Sequence, residues 1–424
     1  VLMPINKRNR PWFFLVAALI PGHLFNWAVE WAFVSVTTVW GIFYFDRFAR
    51  RYPQTARIAL PAILAVTGIS LIGYILTLSL SSYSTGVRDF VELLKPSMVF
   101  FSGTLALVVG PPRLEDLRRA CFAVLIFGVS CGLVLMFEVP VLASVVEIVY
   151  GDTKTAFSTY YVRLSIPFEN PNFLGLFAVL SLVIALNFRV RPDLKLALIS
   201  VCAIGLSGSR TAWLTSSVVL VTFVANVVAA MVTNRRSLSA PKLAIALVIP
   251  VAAVYFLPSI AESFQRVGDL IKMVITLDLG ADQSYSERQA LRDTAVRLIL
   301  ERPVFGWGAI KYSDLDIVDN QYVSLLLRFG ILGSLIILAV AAVGVIAHLR
   351  PLAGAKELKS GLLMWLVLAA WLWNGTFIEN IRLAIVVTII FASASRPNTA
   401  PIYVFYKQSI VRRKPGSSAS NEVL

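Results

Sequence analysis

Apolar runs recur along this chain, most of them close to the ~20 residues that a helix needs to cross the hydrocarbon core of a bilayer. They fall at residues 12–28, 29–45, 58–80, 90–110, 120–139, 171–188, 196–209, 211–232, 243–257, 321–347, 360–378 and 381–395. Hydrocarbon offers no water to backbone groups, so such runs fold as helices that satisfy their own hydrogen bonds. The expectation is an all-α polytopic membrane protein, one domain over residues 1–424, with twelve transmembrane helices. Composition agrees: 58% of the residues are apolar and 15% charged, against about 45–50% and about 25% in a soluble domain. A single anchor carrying a soluble head is excluded. Lys7, Arg8 and Arg10 before an apolar stretch resemble a secretory signal, but no small-residue cleavage site leads into a hydrophilic domain, so a retained first span is expected. Residues 12–45 are read as a short hairpin broken near Pro21 and Gly22, because both flanks are basic.

The formal net charge of +14 could suggest a nucleic-acid partner. The basic residues lie between apolar runs rather than on one soluble face, so topology accounts for them and no nucleic acid is expected. With both termini in the cytoplasm, the cytoplasmic segments hold 24 Lys and Arg against 12 outside, and six acidic residues against fifteen outside. That is the positive-inside pattern. Two external segments are long, at 140–171 and 258–320, and 285–300 repeats apolar residues at helical spacing among arginines. Cytoplasmic connections are short, which places an active site on the outer side. Residues 396–424 read as a basic, disordered tail beside anionic lipid. Cys121, Cys131 and Cys202 lie inside apolar runs and read as packing residues.

Several residues at the outer surface could carry chemistry. Arg210, in SGSRTAW, stands at the junction of two closely spaced spans; it either snorkels to headgroups or holds a phosphate with its planar fork. Arg163 precedes FENPN, where Asn170, Pro171 and Asn172 can simply start a helix, and Glu169 is a candidate base or arginine partner. Arg288, Arg292 and Arg297 either solvate a helix or face a ligand, and Gly306-Trp307-Gly308 could let backbone approach a ligand closely. In VDNQYVSLLLRFGILG, Asp319 and Asn320 could cap the following span, while Arg328 lies two turns inside it, where a charge is costly and a paired or functional role is the default. Glu92 and Lys95, three apart on one helix, could pair with each other. His23 and His348 lie in the first hairpin and at a cytoplasmic end, which leaves no histidine base outside. HExxH, Walker A and CxxC patterns do not occur.

In order, RLSIPFENPNFLG, SGSRTAW, the arginine helix ending in ERPVFGWG, and VDNQYVSLLLRFGILG resemble the family of O-antigen ligases and O-antigen or exopolysaccharide polymerases, over roughly residues 160–335. The resemblance implies a GT-C-like helical glycosyltransferase of the bacterial inner membrane with a periplasmic site, no nucleotide sugar, no cofactor and no metal. The donor it implies is an undecaprenyl-diphosphate-linked oligosaccharide, with membrane lipid, a flippase and a chain-length regulator as partners. Polymerases pass the glycan to another lipid-linked repeat; ligases pass it to lipid A core. Residue by residue, the resemblance carries over Arg210 and Arg288 as catalytic ligands of the diphosphate, and Arg163, Asn172, Asn320, Tyr322, Gly306 and Gly308 as substrate-binding positions. Ligases typically present a histidine before that Asn as general base. Here Asp319 stands in its place, so Asp319 or Glu169 becomes the candidate base, and polymerase is favoured over ligase.

A secondary transporter is the rival of another class, with Glu30, Glu92, Lys95, Glu138 and Arg328 as its path. Against it, the most charge-rich material lies in a large external loop rather than at the midplane. The topology is tested by a reporter enzyme active only outside the cytoplasm. Fused after residue 160 it is expected to be active, and fused after residue 52 inactive; the reverse pattern would overturn the orientation.

Overall fold

The computed structural model describes residues 10–21, 28–80, 87–137, 139–150, 163–168, 170–186, 192–234, 283–308, 320–349, 355–374 and 380–394. Among them the chain is helical, with no strand. In order the helices are α1 (Arg10–Leu19), α2 (Ala28–Phe43), α3 (Phe45–Arg51), α4 (Pro53–Leu80), α5 (Val87–Val109), α6 (Leu114–Met136), α7 (Leu142–Tyr150), α8 (Pro171–Leu186), α9 (Leu194–Ser207), α10 (Arg210–Asn234), α11 (Gln283–Glu301), α12 (Gln321–Leu349), α13 (Ala355–Asn374) and α14 (Ile381–Ala394). Every expected span meets a helix except 243–257, which lies outside the described residues. Over residues 12–45 run α1 and α2, and residues 22–27 between them lie outside the described residues.

Among the described residues, length and apolarity single out five helices able to cross alone: Pro53–Ser79, Glu92–Val109, Leu114–Leu135, Thr211–Val228 and Gln321–Ile346. A sixth results if Ala28–Phe43 and Phe45–Arg51, bent by 57°, count as one span. Four apolar helices are shorter: Pro171–Leu186, Leu194–Ser207, Ser360–Leu372 and Ile381–Ala394. Helix α8 shows why a short helix can persist here. Nearly all its side chains are buried, and it packs on α9, α10 and α13. A helix apolar all round and enclosed by its neighbours belongs to the interior of a large bundle, so its length need not match the lipid. The main core is built around it and includes α6, α9, α13 and α14.

Helix α12 is two helices joined at Gly330, whose φ of 60° and ψ of −170° are outside helical space. Such a break leaves carbonyls and N–H groups without intrahelical partners. Residues 303–308 supply them. Trp307 N–H donates to Leu327 O at 2.8 Å and Gly308 N–H to Arg328 O at 3.0 Å, while Ile331 N–H donates to Pro303 O at 2.7 Å and Leu332 N–H to Val304 O at 3.3 Å. The loop therefore clasps the break from both sides.

That clasp admits no side chain at Gly330, since a Cβ there would stand 2.2 Å from Val304 O. Replacing Gly330 with Ala is expected to cost about 1–3 kcal/mol or more, read as a lower thermal midpoint of the purified protein. Gly344→Ala on the same helix, where a Cβ meets open space, is the control and should leave the midpoint unchanged or raise it.

Candidate functional site

Arg163 is held at the meeting point of three segments. Its Nε donates to Ser207 O at 3.0 Å, at the end of α9, and its Nη2 donates to Asn172 Oδ1 at 3.3 Å, in the first turn of α8. Its own segment is fixed by Leu164 N–H donating to Leu206 O at 2.8 Å. The Arg163 side chain lies over Gly208, which terminates α9 in the left-handed conformation at φ 56°. Ser209 then starts α10, its carbonyl accepting from Trp213 N–H and its Oγ from Ala212 N–H. Arg210 is the first residue of α10, so its backbone follows two residues after the Gly208 that Arg163 covers. The structure thus brings together Arg163, Asn172 and the start of α10. The Arg210 side chain lies outside the described residues.

Polar caps start the neighbouring helices. Asn170 Oδ1 accepts from Asn172 N–H at 2.8 Å ahead of Pro171, the helix-start arrangement expected of Asn-Pro-Asn. Asn320 Oδ1 accepts from Tyr322 N–H at 3.0 Å and Val323 N–H at 3.2 Å, which makes Asn320 the cap of α12. Asn380 Oδ1 accepts from Leu383 N–H at 2.8 Å at the start of α14. These helix starts lie at one end of the bundle. Gly175, one turn into α8, packs against Ser209, Ala212 and Trp371, and Tyr322 Oη donates to Ala369 O at 3.2 Å, close to Trp371 on α13. Helix N-termini carry positive partial charge, so an end of this kind favours an anion.

Gly306 and Gly308 take φ of 68° and 79°. What approaches them is protein backbone: a Cβ on Gly306 would stand 2.5 Å from Gly330 N, and one on Gly308 2.4 Å from Tyr74 N. The loop is latched to α4 as well. Thr77 Oγ1 donates to Trp307 O at 2.9 Å, Arg302 Nη1 donates to Thr77 Oγ1 at 2.6 Å, and the Arg302 guanidinium sits 4.1 Å from the Trp307 ring centroid. Trp307 Nε1 closes the unit by donating to Leu298 O at 2.8 Å. Helix α11, which carries Arg288 near its start, is therefore fixed at its far end. An open groove lined by Asp293, Val296, Arg297, Leu300 and Glu301 runs along that helix; the Arg288 side chain lies outside the described residues, as do all of Glu169 and Asp319.

Among the other charges in membrane runs, Lys95 Nζ meets Glu92 Oε1 at 2.5 Å, and Arg328 Nη1 meets Glu92 Oε2 at 3.4 Å. The pairing expected of Glu92 and Lys95 is present and extends to Arg328. Glu138 lies outside the described residues. Sequence reasoning passed over Arg302, Thr77 and Arg382. Arg382 is completely buried at the start of α14, and its signal was of the same kind as that of Arg328, a lone arginine in an apolar run. Among the described residues no three potential metal ligands cluster.

Capping at α12 has a measurable cost. Asn320→Ala is expected to lose about 1 kcal/mol of stability, with most of it retained in Asn320→Asp, which keeps an acceptor oxygen; thermal unfolding of the two variants side by side checks this.

Residues 196–338 match the model of a family described as O-antigen ligase. The match runs from α9 through α10 and α11 into α12, and Arg163 and Asn172 lie before it. No curated protein matches the chain.

Proposed function

We propose that this protein polymerises a bacterial surface polysaccharide at the periplasmic face of the inner membrane, a reading supported by the match of residues 196–338 to a family described as O-antigen ligase, glycosyltransferase-like membrane enzymes acting on lipid-linked sugars. The donor is a glycan on undecaprenyl diphosphate and the acceptor is the terminal sugar of another lipid-linked repeat. The observation that carries the reading is the convergence of Arg163, Asn172 and the first residue of α10, Arg210, at an end of the bundle where several helices begin.

An acceptor hydroxyl oxygen attacks the anomeric carbon, and the bond from that carbon to the diphosphate oxygen breaks with its electron pair. Undecaprenyl diphosphate leaves, the configuration inverts, and the hydroxyl proton passes to a carboxylate, Asp319 or Glu169. Arg210 and Arg288 hold the diphosphate with the help of the α10 N-terminus, and Arg163 positions the donor. Asn320 and Tyr322 hold the start of α12 beside the acceptor, and Gly306 and Gly308 set the loop that fixes α11. Charge developing on the departing diphosphate is met by groups already in place, so stabilisation needs no reorganisation during the reaction. No metal enters this scheme.

Polymerase is preferred to ligase because Asp319 stands where ligases typically present the histidine base. The ligase reading, transfer to lipid A core, is kept alive by the description of the matching family. Transport is disfavoured because Glu92, Lys95 and Arg328 are joined in one cluster, both cations meeting Glu92, rather than forming a row of separate sites.

Purified protein given a single undecaprenyl-diphosphate oligosaccharide, with no other acceptor, is expected to form a ladder of multiples. Transfer seen only after lipid A core is added would identify a ligase instead. Arg163→Ala should lower transfer on the order of 10²-fold, the cost of a substrate misplaced by about 1 Å, while the protein stays in the membrane.

A further inference from the structure

Arg382 lies outside the matched family region and outside every motif discussed above. It is nevertheless among the largest fully buried side chains of the molecule, at 0% exposure. Nη1 donates to Ile20 O just after α1, and Nη2 donates to Pro167 O at 3.3 Å. The guanidinium also lies 5.8 Å from the ring centroid of Phe168. Burying a cation is costly, and it is costlier beside the positive end of its own helix. The cost is offset by the last carbonyls of α1, which form the negative end of that helix and have no intrahelical partners.

Tyr150 acts at the same place. Its hydroxyl donates to Leu19 O at 2.9 Å, one residue before the carbonyl that Arg382 engages. Burial pushes that hydroxyl up to about 12, with Cys131 adding to the shift and Arg382 opposing it, so it remains a donor throughout the physiological range. Arg382 and Tyr150 together tie the end of α1 to the chain at Pro167 and Phe168. From there the chain runs back three residues to Leu164 and four to Arg163, and forward to the Asn170 cap of α8.

We infer that Arg382 is a positioning residue for glycosyl transfer: its guanidinium, bridging Ile20 O and Pro167 O, holds segment 163–168 so that Arg163 faces Asn172 and the start of α10. This rests on the reading of Arg163 as a ligand of the donor. The planar fork is what the role requires, because two carbonyls from different segments must be bonded at once; a lysine ammonium supplies a point charge without that geometry. Displacing Arg163 by about 1 Å is enough to cost on the order of 10²-fold in rate.

The test is Arg382→Lys in the full chain, read by amide hydrogen exchange and by transfer from the undecaprenyl-diphosphate oligosaccharide. Exchange is expected to rise in 163–168, where Leu164 N–H is bonded to Leu206 O, and to stay unchanged in α8, α9 and α10. Turnover per folded molecule should fall about 10- to 100-fold, mainly in kcat rather than in KM for the donor. Unchanged exchange in 163–168, or exchange raised equally across α8 to α10, would overturn the positioning role. Should Arg382→Lys not accumulate, Arg382→Gln, whose amide can serve at most one of the two carbonyls, takes its place; a rise confined to the same segment supports the role, and no rise overturns it. If the wild-type protein transfers no glycan while Arg382→Lys still loosens 163–168, the function reading fails and the positioning role stands.

Discussion

A helix that ends inside an apolar slab leaves N–H or C=O groups that water cannot reach. The candidate site is built from the solutions to that problem. At the break in α12, residues 303–308 take up the carbonyls of Leu327 and Arg328 and supply carbonyls to Ile331 and Leu332. At the starts of α8, α12 and α14, asparagine side chains take the first N–H groups. At the end of α1, Tyr150 and Arg382 reach the last carbonyls. Each of these partners comes from elsewhere in the chain or from a residue flanking the helix. Satisfying the backbone therefore also fixes where the motif segments stand relative to one another.

The same arrangement sets the local field. Helices that start inside the bundle bring their positive ends with them, and Arg163 and Arg210 belong to that end of the molecule. An anion placed there would meet the positive ends of helices and the guanidinium of Arg163, which is held by Ser207 O and Asn172 Oδ1. A diphosphate fits this better than a neutral sugar does. Recognition of the glycan itself needs hydroxyl-specific partners, for which residues such as Asn172 and Tyr322 are suited by chemistry.

How legible this was from the sequence depended on range. Periodicity and hydropathy located the apolar helices, because span formation is local, but they do not say which of them protein encloses. The run at 171–188 reads as a span, and Pro171–Leu186 is a helix there whose enclosure by protein is a tertiary fact that length alone does not encode. Asn170 and Asn320 were readable as caps since a cap bonds residues two and three positions ahead. Gly306 and Gly308 were marked as close-approach positions, but their neighbours, Tyr74 and Gly330, come from α4 and α12 and no local pattern points to them. Arg382 was missed for the same reason. Its partners Ile20 and Pro167 are hundreds of residues away, and what remains in sequence is one cation in an apolar run.

The clasp has a mechanical consequence for the arginine helix. Thr77, Arg302 and Trp307 lock the chain just after α11 to α4 and α12, whereas Arg288 lies thirteen residues before the last residue of that helix, Glu301. At 1.5 Å per residue this is a lever of about 20 Å. The clasp therefore helps to set where Arg288 stands, by contacts separate from those that hold Arg163 and Asn172. The two cations of the proposed site are thus placed by different parts of the fold. Arg163 is fixed by the packing of α8 and α9, and Arg288 is carried on an arm whose position is set at Gly330. A substitution that shifts the clasp would therefore move the backbone that carries Arg288 and leave the Arg163 bonds to Ser207 O and Asn172 Oδ1 in place, so the two halves of the proposed diphosphate site are separable.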